Sequence, residues 1–195
     1  DLLIVVTPHI LKPREIEGRE KRIFVFKYAL AEEIADLMRK LISPEGVILV
    51  NPKESPPNSI LIKDNEERVE IIQKMLSKLG TFEEQRREKV FSPSFSSLFQ
   101  AKEVLSELLS SKGSIKIDEK SYTLTVEDGA YQLFKIEKAF SLLEEHNQVL
   151  QEKIFHLKYV KGKGIISELD KFLSPRGSLK AEDNILTVRD NNWVI

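Results

Sequence analysis

One pattern occurs three times along this chain, and few folds satisfy a sequence that repeats itself at such a spacing. The segment Arg22-Ile-Phe-Val-Phe-Lys-Tyr28 returns as Lys153-Ile-Phe-His-Leu-Lys-Tyr159, 131 positions later. The same offset carries Ser43-Pro44-Glu45-Gly46 onto Ser174-Pro175-Arg176-Gly177. A middle copy lies at an offset of 67, where Val90-Phe91 matches Ile23-Phe24 and Gly113 matches Gly46.

Each copy reads alike. An alternating apolar strand comes first, with Ile23, Phe24, Phe26 and Tyr28 in the first copy. Period-two aromatics of this kind, including Phe91, Phe155 and Tyr159, are expected in the core and not on a stacking platform. An amphipathic helix follows, with Leu30, Ile34, Leu37, Met38, Leu41 and Ile42 at helical spacing. Its third-copy counterpart runs through Ile165, Leu169, Phe172 and Leu173. Gly46, Gly113 and Gly177 then stand where a helix C-cap with positive φ is expected. A short hairpin comes next, predicted at 47–50 with 59–62, 114–117 with 122–126, and 178–181 with 185–188.

Asp64, Asp128 and Asp190 close the hairpins. The sequence predicts that each carboxylate caps the N-terminus of the next helix, a contact worth about 1 kcal/mol. In that helix Val69, Ile72, Leu76 and Leu79 repeat as Leu133, Ile136, Phe140 and Leu143. Ile195 follows Asp190 at the spacing that Val69 has from Asp64, so the third copy is expected to lack its second helix or to fray there.

The predicted fold class is therefore α+β: tandem β-α-β-β-α modules, each a three-stranded sheet with two helices on one face. The expected division is a strand and charged linker over 1–21 and modules over 22–80, 89–145 and 153–195. A module near 60 residues sits close to the lower limit for independent stability, so packing against neighbours matters. The connectors are short and charged, without Gly/Ser composition, which predicts semi-rigid placement of the modules.

The repeat resembles the N-domain of secretins, the outer-membrane ring proteins of type II and III secretion and type IV pilus systems. Its carriers here are Phe26-Lys-Tyr28, Gly46, Asn58-Ser-Ile-Leu-Ile-Lys-Asp64 and the Val69 to Leu79 run, with Asn184-Ile-Leu-Thr-Val-Arg-Asp190 in the third copy. The middle copy diverges most, reading Tyr122-Thr-Leu-Thr-Val-Glu-Asp128. Separately, Leu2-Leu-Ile-Val-Val-Thr-Pro-His-Ile-Leu11 is similar to the last strand of the secretin barrel domain, although in secretins that strand follows the N-domains. The resemblance implies a non-enzymatic, periplasmic, ring-forming segment attached to the outer membrane in the full-length protein. It implies a homo-oligomeric ring, other secretion or pilus components as partners, and no small-molecule substrate or cofactor.

Composition narrows the alternatives. With 30 Lys and Arg against 31 Asp and Glu, the formal charge of −1 supplies no global field for a nucleic acid or an anionic membrane. The absence of cysteine removes disulfides, thiolate metal sites and cysteine nucleophiles together. No segment approaches the roughly 20 apolar residues of a membrane helix. His9, His146 and His156 show no metal-ligand spacing, and no catalytic or metal-binding residues are expected. Gly162-Lys163-Gly164, with Lys158 and Lys161 nearby, is the one locally basic glycine loop and would serve an anion or a KH-like nucleic-acid site. It lacks the Gly-x-x-Gly spacing, so nucleic-acid binding is the alternative reading, beside an adaptor ring of another envelope machine.

Overall fold

Alternation decides the sheets. The computed structural model describes residues 19–191, and within them each copy of the repeat forms its own three-stranded antiparallel sheet. The first module comprises β1 (Arg19–Val25), α1 (Ala31–Met38), β2 (Val47–Val50), β3 (Ser59–Asn65) and α2 (Glu66–Leu79). A short helix α3 (Phe82–Gln85) leads to the second, with β4 (Arg86–Phe91), α4 (Leu98–Ser106), β5 (Ser114–Asp118), β6 (Thr123–Gly129) and α5 (Ala130–His146). The third holds β7 (Leu150–His156), α6 (Ile166–Leu169), β8 (Ser178–Glu182) and β9 (Ile185–Asn191). In every sheet the last strand is central, giving the orders β1-β3-β2, β4-β6-β5 and β7-β9-β8. The fold class is α+β, as the repeat required.

One face of each sheet is buried by helices. In module 1, Ile60 and Ile62 on the central strand meet Ile34 and Met38 of α1 and Val69, Ile72 and Leu76 of α2. Module 2 repeats this with Leu124, Val126, Ala101, Leu105, Leu133 and Ile136. Truncating one such buried aliphatic to alanine costs about 2–5 kcal/mol, a large share of what so small a module holds.

Module 3 is thinner. Only Leu173, Leu186 and Val188 form its buried nucleus among the described residues. The run from Ile165 to Leu173 does not make one helix: it breaks into a 3-10 turn at Gly162–Gly164, the four-residue α6 and another 3-10 turn at Asp170–Phe172. Beside it lies an open apolar groove of about 450 Å³ lined by Phe155, Ile165, Leu169, Leu179 and Val188, among others. In modules 1 and 2 the second helix covers this part of the sheet. The expectation of a missing or frayed second helix here falls on 192–195, outside the described residues, as does the barrel-like strand at 2–11.

Three boundaries differ from the sequence reading. The strands begin at Arg19, Arg86 and Leu150, so charged residues assigned to linkers are ladder residues with polar side chains. The 81–88 connector does not prolong α2. Thr81 caps a new turn instead, its hydroxyl accepting from the Glu84 N–H.

Candidate functional site

Asp64 and Asp128 do not cap helices, and Asp190 holds the same place in module 3. Each is buried and faces back toward the turn that follows its module's first helix. Asp64 accepts from the Ser43 N–H and Ser43 hydroxyl, both at 2.7 Å, and from the Asn65 N–H at 2.8 Å. Asp128 does the same with Ser110 (2.7 and 2.6 Å) and Gly129 (2.7 Å). Asp190 repeats it with Ser174 (2.8 and 2.6 Å) and Asn191 (2.7 Å). The capping residues sit one position later: Asn65 accepts from the Arg68 N–H, and Gly129 opens α5 with no side-chain cap. The helix expected after Asp190 lies outside the described residues. A charge-assisted clasp is what the repeated aspartate supplies.

The glycines belong to the same clasp. Gly46, Gly113 and Gly177 lie beyond the helix ends, each N–H donating to the carbonyl of the clasp serine three residues earlier, at 2.9, 3.1 and 2.9 Å. None requires positive φ. A Cβ at Gly46 would lie 2.6 Å from Asp64 Oδ2, and Cβ atoms at Gly113 and Gly177 would strike the corresponding carboxylates. Glycine is needed for close approach, not for a left-handed cap.

Burial pushes the Asp64 carboxyl up, but the Ser43 and Asn65 donors and the Arg68 charge outweigh it, leaving its pKa below the ordinary value. A folded-state pKa below that of the unfolded chain gives stability that is fully present above about pH 4–5 and lost as pH falls through the folded value. Urea unfolding of module 1 is therefore expected to weaken from pH 7 to pH 3. In Asp64→Asn that pH dependence should flatten, from a lower starting stability.

The turn after each first strand forms a knob. In module 1, Asn58 fixes it, accepting from the Ala31 N–H at 2.8 Å and donating to the Phe26 and Ala29 carbonyls at 2.8 and 2.7 Å. Asn58 does so in a left-handed conformation, φ 57°. Tyr28 at the tip is not core of its own module. Its carbonyl accepts from the Tyr131 N–H at 2.8 Å, its Cα and Cβ press on Gly129, and its ring meets Phe82 edge-on at 5.3 Å. A bidentate Arg87–Glu33 pair, at 2.5 and 3.0 Å, crosses the same junction and holds the Glu33 carboxyl below its usual range.

The second junction uses the same registers. Phe95, the counterpart of Tyr28, is held by three N–H groups, of Ser94, Phe95 and Ser96, donating to Glu144 at 2.6–3.0 Å. Its carbonyl accepts from Asn191 Nδ2 at 2.9 Å, and Arg176 covers its ring at 5.1 Å. Phe99 against Phe172 and a bond from the Tyr122 hydroxyl to the Leu173 carbonyl at 3.0 Å complete the contact. Desolvation pushes that hydroxyl up to about 12. Aromatic knobs therefore join module to module, which the reading of every strand aromatic as core did not foresee.

The sheet faces turned away from the helices differ in kind. On module 1, Ile23, Leu61 and Leu49 pair side by side across the three strands, and Val25 and Val47 flank them. Ile23 is 47 % and Leu49 48 % exposed. The corresponding face of module 2 presents Val90, Thr125 and Lys116, and that of module 3 Ile154, Thr187 and Lys180. Module 1 also exposes Leu37 on α1 and Ile71 and Met75 on α2. One module thus carries two separate apolar surfaces.

The basic glycine loop is already engaged. The Gly162 N–H donates to the Asp183 carbonyl at 3.1 Å and the Gly164 N–H to the Lys161 carbonyl at 2.9 Å. Gly162 lies so close to Ala181 that a Cβ would come within 2.7 Å of it. That packing explains the glycine without an anion. Among the described residues no cluster of His, Asp and Glu could hold a metal, and no helix is long and apolar enough to cross a membrane.

No protein-family model matches the chain, and no curated protein does. Among solved structures it is similar to ExeD of Aeromonas hydrophila, with 17 % identity and a TM-score of 0.34 over 91 % of this chain and 39 % of that one. It is also similar to the N-terminal domain of the secretin XcpQ from Pseudomonas aeruginosa, with 18 % identity and a TM-score of 0.30 over 65 % of this chain and 61 % of that one. The type II secretion system secretin GspD of E. coli K12 matches at 16 % identity and a TM-score of 0.31, over 91 % of this chain and 36 % of that one. The chain spans about two-fifths of the length of ExeD and somewhat less of GspD.

Proposed function

We propose that the chain is a non-enzymatic, ring-forming segment of a secretin-like protein that lies in the periplasm, joined in the full-length protein to an outer-membrane channel for secretion or pilus export. The observation that carries this is the pair of apolar surfaces on module 1. A sheet face (Ile23, Val25, Leu49) and a helix face (Ile71, Met75) on different sides of one module suit a heterologous contact, the sheet of one subunit against the helices of the next. Repeated by rotation, such a contact closes into a ring. The resemblance of the repeat to secretin N-domains supports the same arrangement.

The clasps and aromatic knobs serve this role by holding three small modules in fixed register, so that each could contribute a tier. The partners would be copies of the same chain and other components of the export machine. Electron microscopy and light scattering of the full-length protein in detergent test the reading. Annular particles with a single subunit number are expected, whereas persistent monomers would overturn it.

A further inference from the structure

Asn58 of module 1 and Tyr122 of module 2 hold equivalent places, each six residues before its clasp aspartate. Both have a left-handed backbone, with φ 57° and φ 53°. Asparagine tolerates that region, whereas a bulky aromatic residue there is strained. Asn58 turns inward and pins the knob of its own module. Module 2 pins its knob with Glu144 instead. The Tyr122 ring lies against the core of module 2, and its hydroxyl crosses to module 3, donating to the Leu173 carbonyl at 3.0 Å. Leu173 belongs to the small nucleus of module 3 and directly precedes the clasp serine, Ser174. An asparagine at 122 would suit the backbone and be too short for that reach.

The two connectors differ as well. Between modules 1 and 2 the chain runs through α3, where Phe82 and Gln85 are buried and Gln85 Nε2 donates to the Leu79 carbonyl at 2.8 Å. Between modules 2 and 3, Asn147 is 1 % exposed and fixed to module 2, donating to Ser96 Oγ at 2.9 Å and Gln100 Oε1 at 3.0 Å. Strand β7 begins at Leu150. Only Gln148 and Val149 lie between. The Gln148 N–H makes a long 3.4 Å bond to the Glu145 carbonyl, and Val149 is 71 % exposed. A few such residues at the ends of elements can absorb the dihedral changes of a domain rotation.

We propose that module 3 hinges on Gln148–Val149 and that Tyr122 is the latch holding it docked on module 2. Asn191 and Arg176, which reach the Phe95 knob, and the Phe99–Phe172 pair make the rest of the docked contact. They and Tyr122 cross with side chains, where the first junction also joins backbone to backbone between Tyr131 and Tyr28. The fixed register of the tiers is the latched state. In the open state module 3 swings while modules 1 and 2 move as one body.

Double spin labelling of the 195-residue chain tests this, since its lack of cysteine leaves the label sites free to choose. Lys116→Cys with Lys180→Cys reports the second junction and Lys21→Cys with Lys116→Cys the first; all three lysines are exposed. Narrow distance distributions are expected for both pairs before further substitution. Tyr122→Phe keeps ring and backbone and removes one hydrogen bond, so the open population of the 116–180 pair should rise about fivefold. Tyr122→Asn should raise it further, while relief of the left-handed backbone offsets the lost ring contact. In both variants the 21–116 distribution and the hydrogen-exchange protection of residues 123–146 should stay close to their original values. A 116–180 distribution that is broad from the start, or that neither substitution changes, would overturn the latch. Equal broadening of both pairs, or lost protection in module 2, would overturn it too, by showing that Tyr122 serves only the core of its own module.

Discussion

Asp128→Ala is expected to unfold the middle module while the core of module 1 stays intact. The carboxylate is fully buried and accepts from Ser110 twice and from Gly129 once. Alanine would leave two backbone N–H groups and a hydroxyl without partners beneath the sheet. Orphaning such donors of a charged acceptor costs about 3–5 kcal/mol. A module of this size holds only about 3–9 kcal/mol in total, so most of its stability goes. Asp128→Asn keeps the shape but sets an amide N–H against the Ser110 N–H, and should fall between wild type and alanine. Hydrogen exchange resolved by module would show the loss confined to residues 86–146 and the junctions on either side. Protection in module 2 equal to wild type would mean that the clasp is incidental.

Charging the open face of module 1 should have the opposite signature. In Ile23→Lys with Leu49→Lys, both positions point away from the helices, and each strand keeps its ladder partner, Leu61. The chain's thermal unfolding is expected to change little, since surface substitutions usually stay within about 0.5 kcal/mol. Assembly of the full-length protein is expected to fail, because two ammonium groups would have to be desolvated in the centre of an apolar contact. Size-exclusion chromatography with light scattering separates the outcomes. A variant that folds and still assembles would remove the sheet face from the interface.

The repeat was legible because its carriers are buried at fixed periods. Leu133 and Ile136 recur where Val69 and Ile72 stand, since the same helix packs on the same central strand. What escaped reading is long-range. Tyr28 continues a strand alternation and so looks like core, but its neighbours Gly129 and Tyr131 belong to the next module. The aspartates were visible as repeated residues, yet their partners Ser43, Ser110 and Ser174 lie before the hairpin, and only the fold brings them back. The need for Gly46 was likewise visible. Its cause, the Asp64 carboxylate beside it, was not. The first helix of module 3 had the right spacing in Ile165, Leu169 and Leu173, but the 3-10 turns on either side leave α6 only four residues.

The central claim is that module 1 packs sheet against helix between neighbouring subunits. A photo-cross-linker in place of Leu49, in the assembled full-length protein, tests it most directly. Intersubunit adducts with the peptide carrying Ile71 and Met75 are the expected result. Adducts confined to the same subunit, or to another subunit's sheet face, would contradict it.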